Sequence, residues 1–519
     1  MAGFLSVAFG VLVATYIFLR VLLHLTQDSK EPPAILTAIP FFGPIKGIVW
    51  EKSGFFVRLR DTYNLPIYTL RLPFMRIYVV NSTDLIPPLH KQWLNVSFAS
   101  ITVPVGNTIG FSEDGMKLLK HGIGTEKGFT ESWPRHVLPS ISPGPDLDAI
   151  NRKAIQVFAD EMAKLRTQGS QLVPLRSWSR KAMVAATSEA IWGEQNPYRD
   201  PEIAEEWRIF ESGFLTLALF PAAAKLFPRI HQARERLTKA MLGFVNRGGQ
   251  KQASGLVAKR YEHHVDIWKM KLEDFARGEI GNSFAVLGNS TPCAFWVLWH
   301  IFSDDQVLAD VRNELSGLVE EGAKDGAPMS IVDLSMVKSA CPILLSTFME
   351  TMRYRTVNSG PRHILEDVEI GGYLVKKGNM LMLPGPVQHT SREAWGDNAH
   401  LFDHLRFTSE RKIRPNRVAF RAFGGGHTLC PGQHFATTEI MALAALLVLQ
   451  FDMVPVESSG KWVEPSCDNT PFQAGFPIPD TDFPVVLQPR DPQRKWRVMF
   501  SGSENAVGVV AEDLPAGAN

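Results

Sequence analysis

Four cysteines, Cys293, Cys341, Cys430 and Cys467, are spread through 519 residues with neither paired nor metal-finger spacing. That pattern fits a reducing compartment, so any reactive thiol has to be argued from its own surroundings. Only Cys430 has surroundings that suggest chemistry: it lies in FGGGHTLCPG, Phe423 to Gly432, after a polar loop and directly before an apolar run. Glycines let a backbone turn sharply and come close to a flat cofactor. The start of the following helix offers unpaired N–H groups and positive potential toward sulfur. A thiolate held in this way can bind iron axially and donate electron density that favours O–O cleavage. The plain alternative is a glycine-rich turn with an incidental cysteine. Phe423, Gly426, Cys430 and Gly432 at this spacing should recur by accident in roughly one chain in 700 of similar size and composition.

Two further groupings could serve such a thiolate. Glu350 and Arg353 in ETMR stand three residues apart on a helical pattern; as a surface pair they would contribute only a few tenths of a kcal/mol. In FAVLGNSTPCAFWVLWHIF, Phe284 to Phe302, a helical period puts Ala285, Gly288, Asn289 and Pro292 on one broad face. Pro292 cannot donate to the carbonyl of Gly288 and its ring presses on that group, which predicts a local opening or kink. Asn289 offers both a donor and an acceptor there. Ser290, one step on, points about 100° around the helix and is the secondary candidate. The alternative is a tolerated kink in a packed core.

These residues need a scaffold, and the composition allows a large one: 45% of residues are hydrophobic, with 12 Trp and 32 Phe. A formal net charge of +1 gives no sign of nucleic-acid binding. Gly3 to Leu19 carries no charge and VLLHL resumes after Arg20, a run about long enough to cross a membrane. It lacks the basic start and small-residue cleavage site of a signal peptide. Arg20, Lys30 and Lys46 follow it and favour a cytoplasmic main body. The segment EPPAILTAIPFFGP reads as a stiff, non-helical spacer. Residues 67 to 80 read as a hairpin, and helical patterns dominate from about 148 to 279. A long helix is expected from Ser283 to Phe302, short strands in 367–385, a last long helix from near Gly432, and a strand through FPVVLQ. The expected division is an anchor over 1–27, a proline-rich hinge over 28–50, one mixed catalytic domain over 51–500, and a poorly ordered tail over 501–519.

The cysteine loop, read as Phe-x-x-Gly-x-x-x-Cys-x-Gly, resembles that of the cytochrome P450 superfamily. The resemblance implies a mainly α fold with small β-sheets behind an N-terminal transmembrane helix, and heme b bound with Cys430 on the iron and Phe423, Gly426 and Gly432 shaping the loop. Glu350 and Arg353 match the family's Glu-x-x-Arg element, and Arg406 in FDHLRF matches the third member of that network. Arg362 in SGPRHI corresponds to a basic position that meets a haem propionate, for which a guanidinium has suitable donors. Thr428 departs from the pattern, since many members carry Arg or His there. The Trp-x-x-x-Arg element has no clear match, although Trp133, Arg135 and His136 fall in its region.

More narrowly, Gly-Asn-Ser-Thr-Pro followed by Ala-Phe-Trp looks like the sterol 7α-hydroxylase and prostacyclin synthase branch. Most monooxygenase members have an acid–alcohol pair where this chain has Gly288 and Asn289. The resemblance implies monooxygenation of a lipophilic small molecule such as a steroid, terpenoid, polyketide or alkaloid, with the loop Asn469 to Phe476 lining its pocket. Electrons would come from NADPH through a separate, membrane-bound NADPH–cytochrome P450 reductase. The expected location is the endoplasmic reticulum membrane, single-pass, with the catalytic domain facing the cytoplasm. Two alternatives stand beside it: an isomerase that rearranges a peroxide substrate without a reductase, and a non-catalytic haem-binding protein.

Overall fold

In the computed structural model, residues 2–219, 226–324, 327–409, 416–457 and 460–502 are described. Most of the expected tail therefore lies outside the described residues. The helix Gln433–Gln450 is buried along almost its whole length, consistent with a sequence that is apolar on every face. It packs on the helices Pro145–Gln168 and Ser290–Phe302. The Pro145–Gln168 helix begins with Pro at its first position and acids in its first turn, which suit the amide-rich end. It buries Leu147, Ile150, Ala154, Phe158, Met162 and Leu165, a spacing of three and four that makes one stripe. The Ser290–Phe302 helix is enclosed on all sides, against Leu175–Trp192, Pro342–Arg355 and Gln433–Gln450.

The sheets are small and peripheral. Ile67–Leu72 and Met75–Val80 form the expected hairpin, with Ile67 opposite Val80. Met380–Met382 joins it in parallel, then Pro361–Ile364 and Val96–Ser97 complete five strands. This register sets Arg362 opposite Leu381 and so fixes one of the candidate site residues. Pro484–Pro489 lies between Phe451–Pro455 and Gln171–Pro174. The antiparallel pair Val319–Lys324 and Ala327–Asp333, the second of which Lys495–Met499 joins in parallel, was not foreseen.

Two features differ from the sequence expectation, and a third, the first helix, agrees with it. The proline segment is docked on the sheet rather than spacing it from the anchor: Ile35 N donates to Thr69 O at 3.0 Å and Thr69 N to Pro33 O at 2.9 Å. Glu31 is enclosed, with Arg76 at 2.9 Å and Lys376 at 3.2 Å. Its C-terminal end turns helical over Gly43–Trp50, where Pro44 sits in the first turn and needs no N–H partner. The helix expected over Ser283 to Phe302 is divided into a π-helical turn, Phe284–Gly288, that continues from the helix Leu272–Ser283, and the helix Ser290–Phe302. Pro292 supplies no amide for the carbonyl of Gly288, the residue at which the π turn ends. The first helix, Ala2–Thr26, projects its apolar run outward; Phe4–Thr26 has a mean hydropathy of 2.1 and no buried window.

Candidate functional site

The cysteine loop is shaped by its glycines. Gly424 and Gly426 both have positive φ, +77° and +57°. A β-carbon on Gly426 would also lie 2.7 Å from the His90 ring, so only glycine fits there. A short 3-10 turn, Gly426–Thr428, brings the chain round, and Cys430 N donates to Phe423 O at 2.9 Å. Gly432 then caps the helix Gln433–Gln450. Phe423, Gly426, Cys430 and Gly432 are thus brought together as one loop.

The thiol of Cys430 is held differently from the other three. Burial pushes all four upward, Cys341 to about 12 and Cys467 to about 11. For Cys430 alone among them a backbone amide, that of Gly432, opposes the shift by favouring the thiolate. Burial still outweighs the amide in the free chain, whereas a bound metal cation would deprotonate the sulfur outright. Cys430 as a residue is half-buried, and its thiol is desolvated.

Beside the loop is a group of cations. Arg362 is 7% exposed, and its guanidinium donates to two neutral acceptors, Thr428 Oγ1 at 2.6 Å and Gly360 O at 3.0 Å. Burial and then Arg421 draw it down to about 10. Burial, then Arg421, Arg362 and His427, hold His90 down to about 4, and the enclosed Nε2 of His90 has no hydrogen-bond partner among the described residues. A buried guanidinium on neutral partners beside an orphaned ring nitrogen fits a ligand carrying carboxylates. Thr428, the departure from the family pattern, is the residue that orients Arg362.

Glu350, Arg353 and Arg406 form the network implied by their motif. Arg353 donates to both carboxylate oxygens of Glu350 at 2.7 Å, and Arg406 Nε to both at 3.0 Å. Arg353 also donates to the carbonyls of His389, Ala399 and Leu401, and so binds the meander before the cysteine loop. The side chains of Glu350 and Arg353 are fully enclosed, so the surface-pair alternative is wrong. Arg135 pairs with Glu126 at 3.5 Å and lies over the Trp93 ring, 5.7 Å from its centroid, while His136 is 3.5 Å from Glu262. The aromatic that reaches the loop is Trp93, stacked on His427 with centroids 4.4 Å apart. No motif marked Trp93 or His90; His90 lies on the short helix Ile86–Lys91 with its ring against Gly426, and Trp93 follows just after that helix.

On the other side, the π turn opens Ala285 and Asn289 while Ser290 and Pro292 are buried. The Thr291 hydroxyl donates to the carbonyl of Leu287 at 2.8 Å within this turn. The loop Asn469 to Phe476 crosses over Asn289: a β-carbon on Gly475 would lie 2.5 Å from Asn289 Oδ1, and Gly475 O accepts from Val357 N at 2.8 Å. Gly288 and Asn289 border a cavity of about 330 Å³ that is also lined by Phe284, Pro471, Ala474 and Ile478. Asn289 therefore faces the cavity and Ser290 faces the core.

A mostly helical fold that presents one amide-supported thiol from a glycine loop, beside a group of buried cations, has the arrangement that a thiolate-ligated, carboxylate-bearing cofactor would need. The cytochrome P450 family model matches residues 33–467. The cytochrome P450 monooxygenase nodJ of Hypoxylon pulicicidum is 30% identical over 89% of this chain and 90% of its own length. The cholesterol 7-alpha-monooxygenase of Cricetulus griseus is 25% identical over 51% of this chain and 55% of its own. The fold matches that of the cytochrome P450DA heme domain with a TM-score of 0.70 at 16% identity, covering 89% of this chain and 98% of that one. The chain belongs to the cytochrome P450 family, and it is an oxidoreductase of the monooxygenase kind with relatives in the sterol 7α-hydroxylase branch. The family's group is haem iron, which the residues around Cys430 fit.

Proposed function

We propose that this chain oxidises a lipophilic small molecule, by hydroxylation or a related insertion of oxygen, with heme b held through Cys430 and electrons drawn from NADPH through a separate reductase. The observation that carries the reading is the Cys430 thiol, desolvated in its glycine loop and supported by the Gly432 amide. Haem, when bound there, supplies oxygen activation and electron storage. Phe423, Gly426 and Gly432 hold the loop, while Arg362 and His90 supply donors for the propionates. Asn289 Oδ1 and Nδ2 position a hydrogen-bonded water or ligand above the site, and Ser290 supports that turn from behind. The lipophilic substrate lies along Phe284 and the loop Asn469 to Phe476. A steroid, terpenoid, polyketide or alkaloid fits that class, and the relatives' names support oxidation rather than any one skeleton.

The Ala2–Thr26 helix anchors the chain, single-pass, with residues 51–500 as the catalytic domain on the cytoplasmic face of the endoplasmic reticulum membrane; 28–50 joins the two. Its apolar length and the positive charges that follow it support this reading.

The reduced carbon-monoxide complex should absorb near about 450 nm, and Cys430→Ala should abolish the band in folded, haem-exposed protein. A band retained in the variant overturns the ligand assignment. Product mass measured with and without NADPH and reductase tests the reaction. Gly288 and Asn289, in place of an acid–alcohol pair, favour one second reading, the rearrangement of a peroxide substrate. Turnover of such a substrate with no NADPH and no reductase would establish it.

A further inference from the structure

The π turn that exposes Asn289 also leaves Gly288 bare, and another helix fills the space above it. A β-carbon on Gly288 would lie 3.1 Å from Oε1 of Glu211, the one atom found within 4 Å of that position. Glu211 comes from the helix Pro201–Leu219, far from Gly288 in the chain. Its other oxygen, Oε2, forms an ion pair at 2.9 Å with Nη2 of Arg180 on the helix Leu175–Trp192. The carboxylate is thus divided: one oxygen is held by a cation and the other is turned to the π turn Phe284–Gly288, the distal turn of the proposed haem site, which leads into the distal helix Ser290–Phe302. Both side chains are mostly enclosed, 26% exposed for Arg180 and 19% for Glu211.

The surroundings give this carboxylate a route to water. Arg176, Arg180, Arg208, Glu211 and Asp480 line the cavity that ends at Gly288 and Asn289. Arg180 and Arg208 also line a larger outer cleft of about 720 Å³ between the helices Pro145–Gln168, Leu175–Trp192 and Pro201–Leu219. Arg208 is paired with Glu205, and Asp480 accepts from Ser466 and from the amides of Asp468 and Asn469. Glu211 is the carboxylate on this path that lies against the distal helix.

We propose that Glu211, positioned by Arg180, is the acid through which protons pass from the outer cleft to the distal site, in the space that Gly288 leaves by having no side chain. This rests on the monooxygenase reading, whose balance is substrate RH with dioxygen, two electrons and two protons giving ROH and water. The electrons come from the redox partner. The protons come from solvent: Glu211 Oε1 takes a proton from cleft water, and the O–H bond so formed breaks as that proton passes inward toward the water or ligand held by Asn289, which restores the carboxylate paired with Arg180. The acid missing from the distal helix is supplied across the fold.

The test uses the full-length holoenzyme with NADPH and a reductase, comparing wild type, Glu211→Gln, Glu211→Ala and the double variant Glu211→Ala/Gly288→Asp at equal haem occupancy. In Glu211→Gln, product per NADPH should fall about tenfold or more, with peroxide released instead and a larger solvent deuterium effect on product formation. Product formation driven by added hydrogen peroxide, which brings its own protons, should fall much less. The infrared stretch of carbon monoxide bound to the reduced protein should shift, since the probe senses charge at the distal turn independently of turnover. The double variant, with its acid on the distal helix, should recover coupling lost in Glu211→Ala. Wild-type coupling, an unchanged solvent isotope effect and an unmoved carbon-monoxide stretch in Glu211→Gln would overturn the proposal and leave Glu211 a structural partner of Arg180. Failure of the monooxygenase reading appears elsewhere, as absence of NADPH-dependent product in wild type.

Discussion

Asn289 faces a cavity and Ser290 the core, so the two should separate in experiment. Asn289→Ala should keep its haem and lower product per NADPH with more peroxide, measured at equal haem occupancy; unchanged coupling would remove its positioning role. Glu439 shows how burial acts on a residue outside the reacting site. Burial pushes its carboxyl up to about 8, and the Thr187 hydroxyl donates to Oε1 at 2.8 Å. The folded chain therefore keeps this proton where the unfolded chain has lost it. Stability from this group is fully present below about pH 4.5 and declines as pH rises through about 8. Glu439→Gln carries no such proton, so its Tm relative to wild type should rise between pH 5 and pH 8.5 by on the order of a few degrees. Thermal melts at the two pH values decide it, and a constant difference would mean that Glu439 is not buried as a neutral acid.

At the scale of elements, the helix Pro342–Arg355 carries Glu350 and Arg353 into contact with Arg406 on the meander, where each charge is compensated by the others and by carbonyl groups. Removing one partner leaves another charge buried. Arg353→Leu or Glu350→Gln should cost about 3–5 kcal/mol and release haem, read as lost denaturant resistance and a lost absorbance band. Lys117→Gln, in a pair with Asp114 that is 75% and 56% exposed, should leave the unfolding midpoint where it is. The ETMR spacing was legible in the sequence, but a three-residue step is the same on a surface and in a core. Only the meander folding over this helix made the pair a buried network. The divided distal helix has a similar history: Pro292 signalled a defect, while its resolution as a π turn depended on what packs around Phe284 to Gly288.

For the whole molecule, the apolar first helix and the rest of the fold are joined by contacts rather than by a loose tether. Arg71 and Arg76 donate to Thr26, and Glu31 meets Arg76 and Lys376 beneath the sheet. Deleting residues 3–25 should release the chain from membranes into the soluble fraction with its reduced carbon-monoxide band intact, because these contacts remain. Glu31→Ala in the full chain should instead stay on membranes and melt at lower temperature, since it strips a buried partner from two cations. Fractionation and melting of the two variants separate anchoring from docking.

What the sequence determined by itself was local: the turn-forming glycines, Cys430 and the helix start all fall within ten residues, where steric limits and backbone donors depend on near neighbours. The apolar first helix, the hairpin and the last helix were legible for the same reason, their signal being contained in a short run. The tertiary structure alone decided which remote groups serve that loop and the distal turn. His90, Trp93, Glu211 and Arg180 lie in no motif, and they reach the site because helices distant in the chain pack together. Arg180 is an ordinary surface residue in sequence, and Glu211 is one acid among 53 Asp and Glu. A contact such as Glu211 against Gly288 leaves no periodic trace in either segment, since it depends on how two helices cross rather than on what either contains.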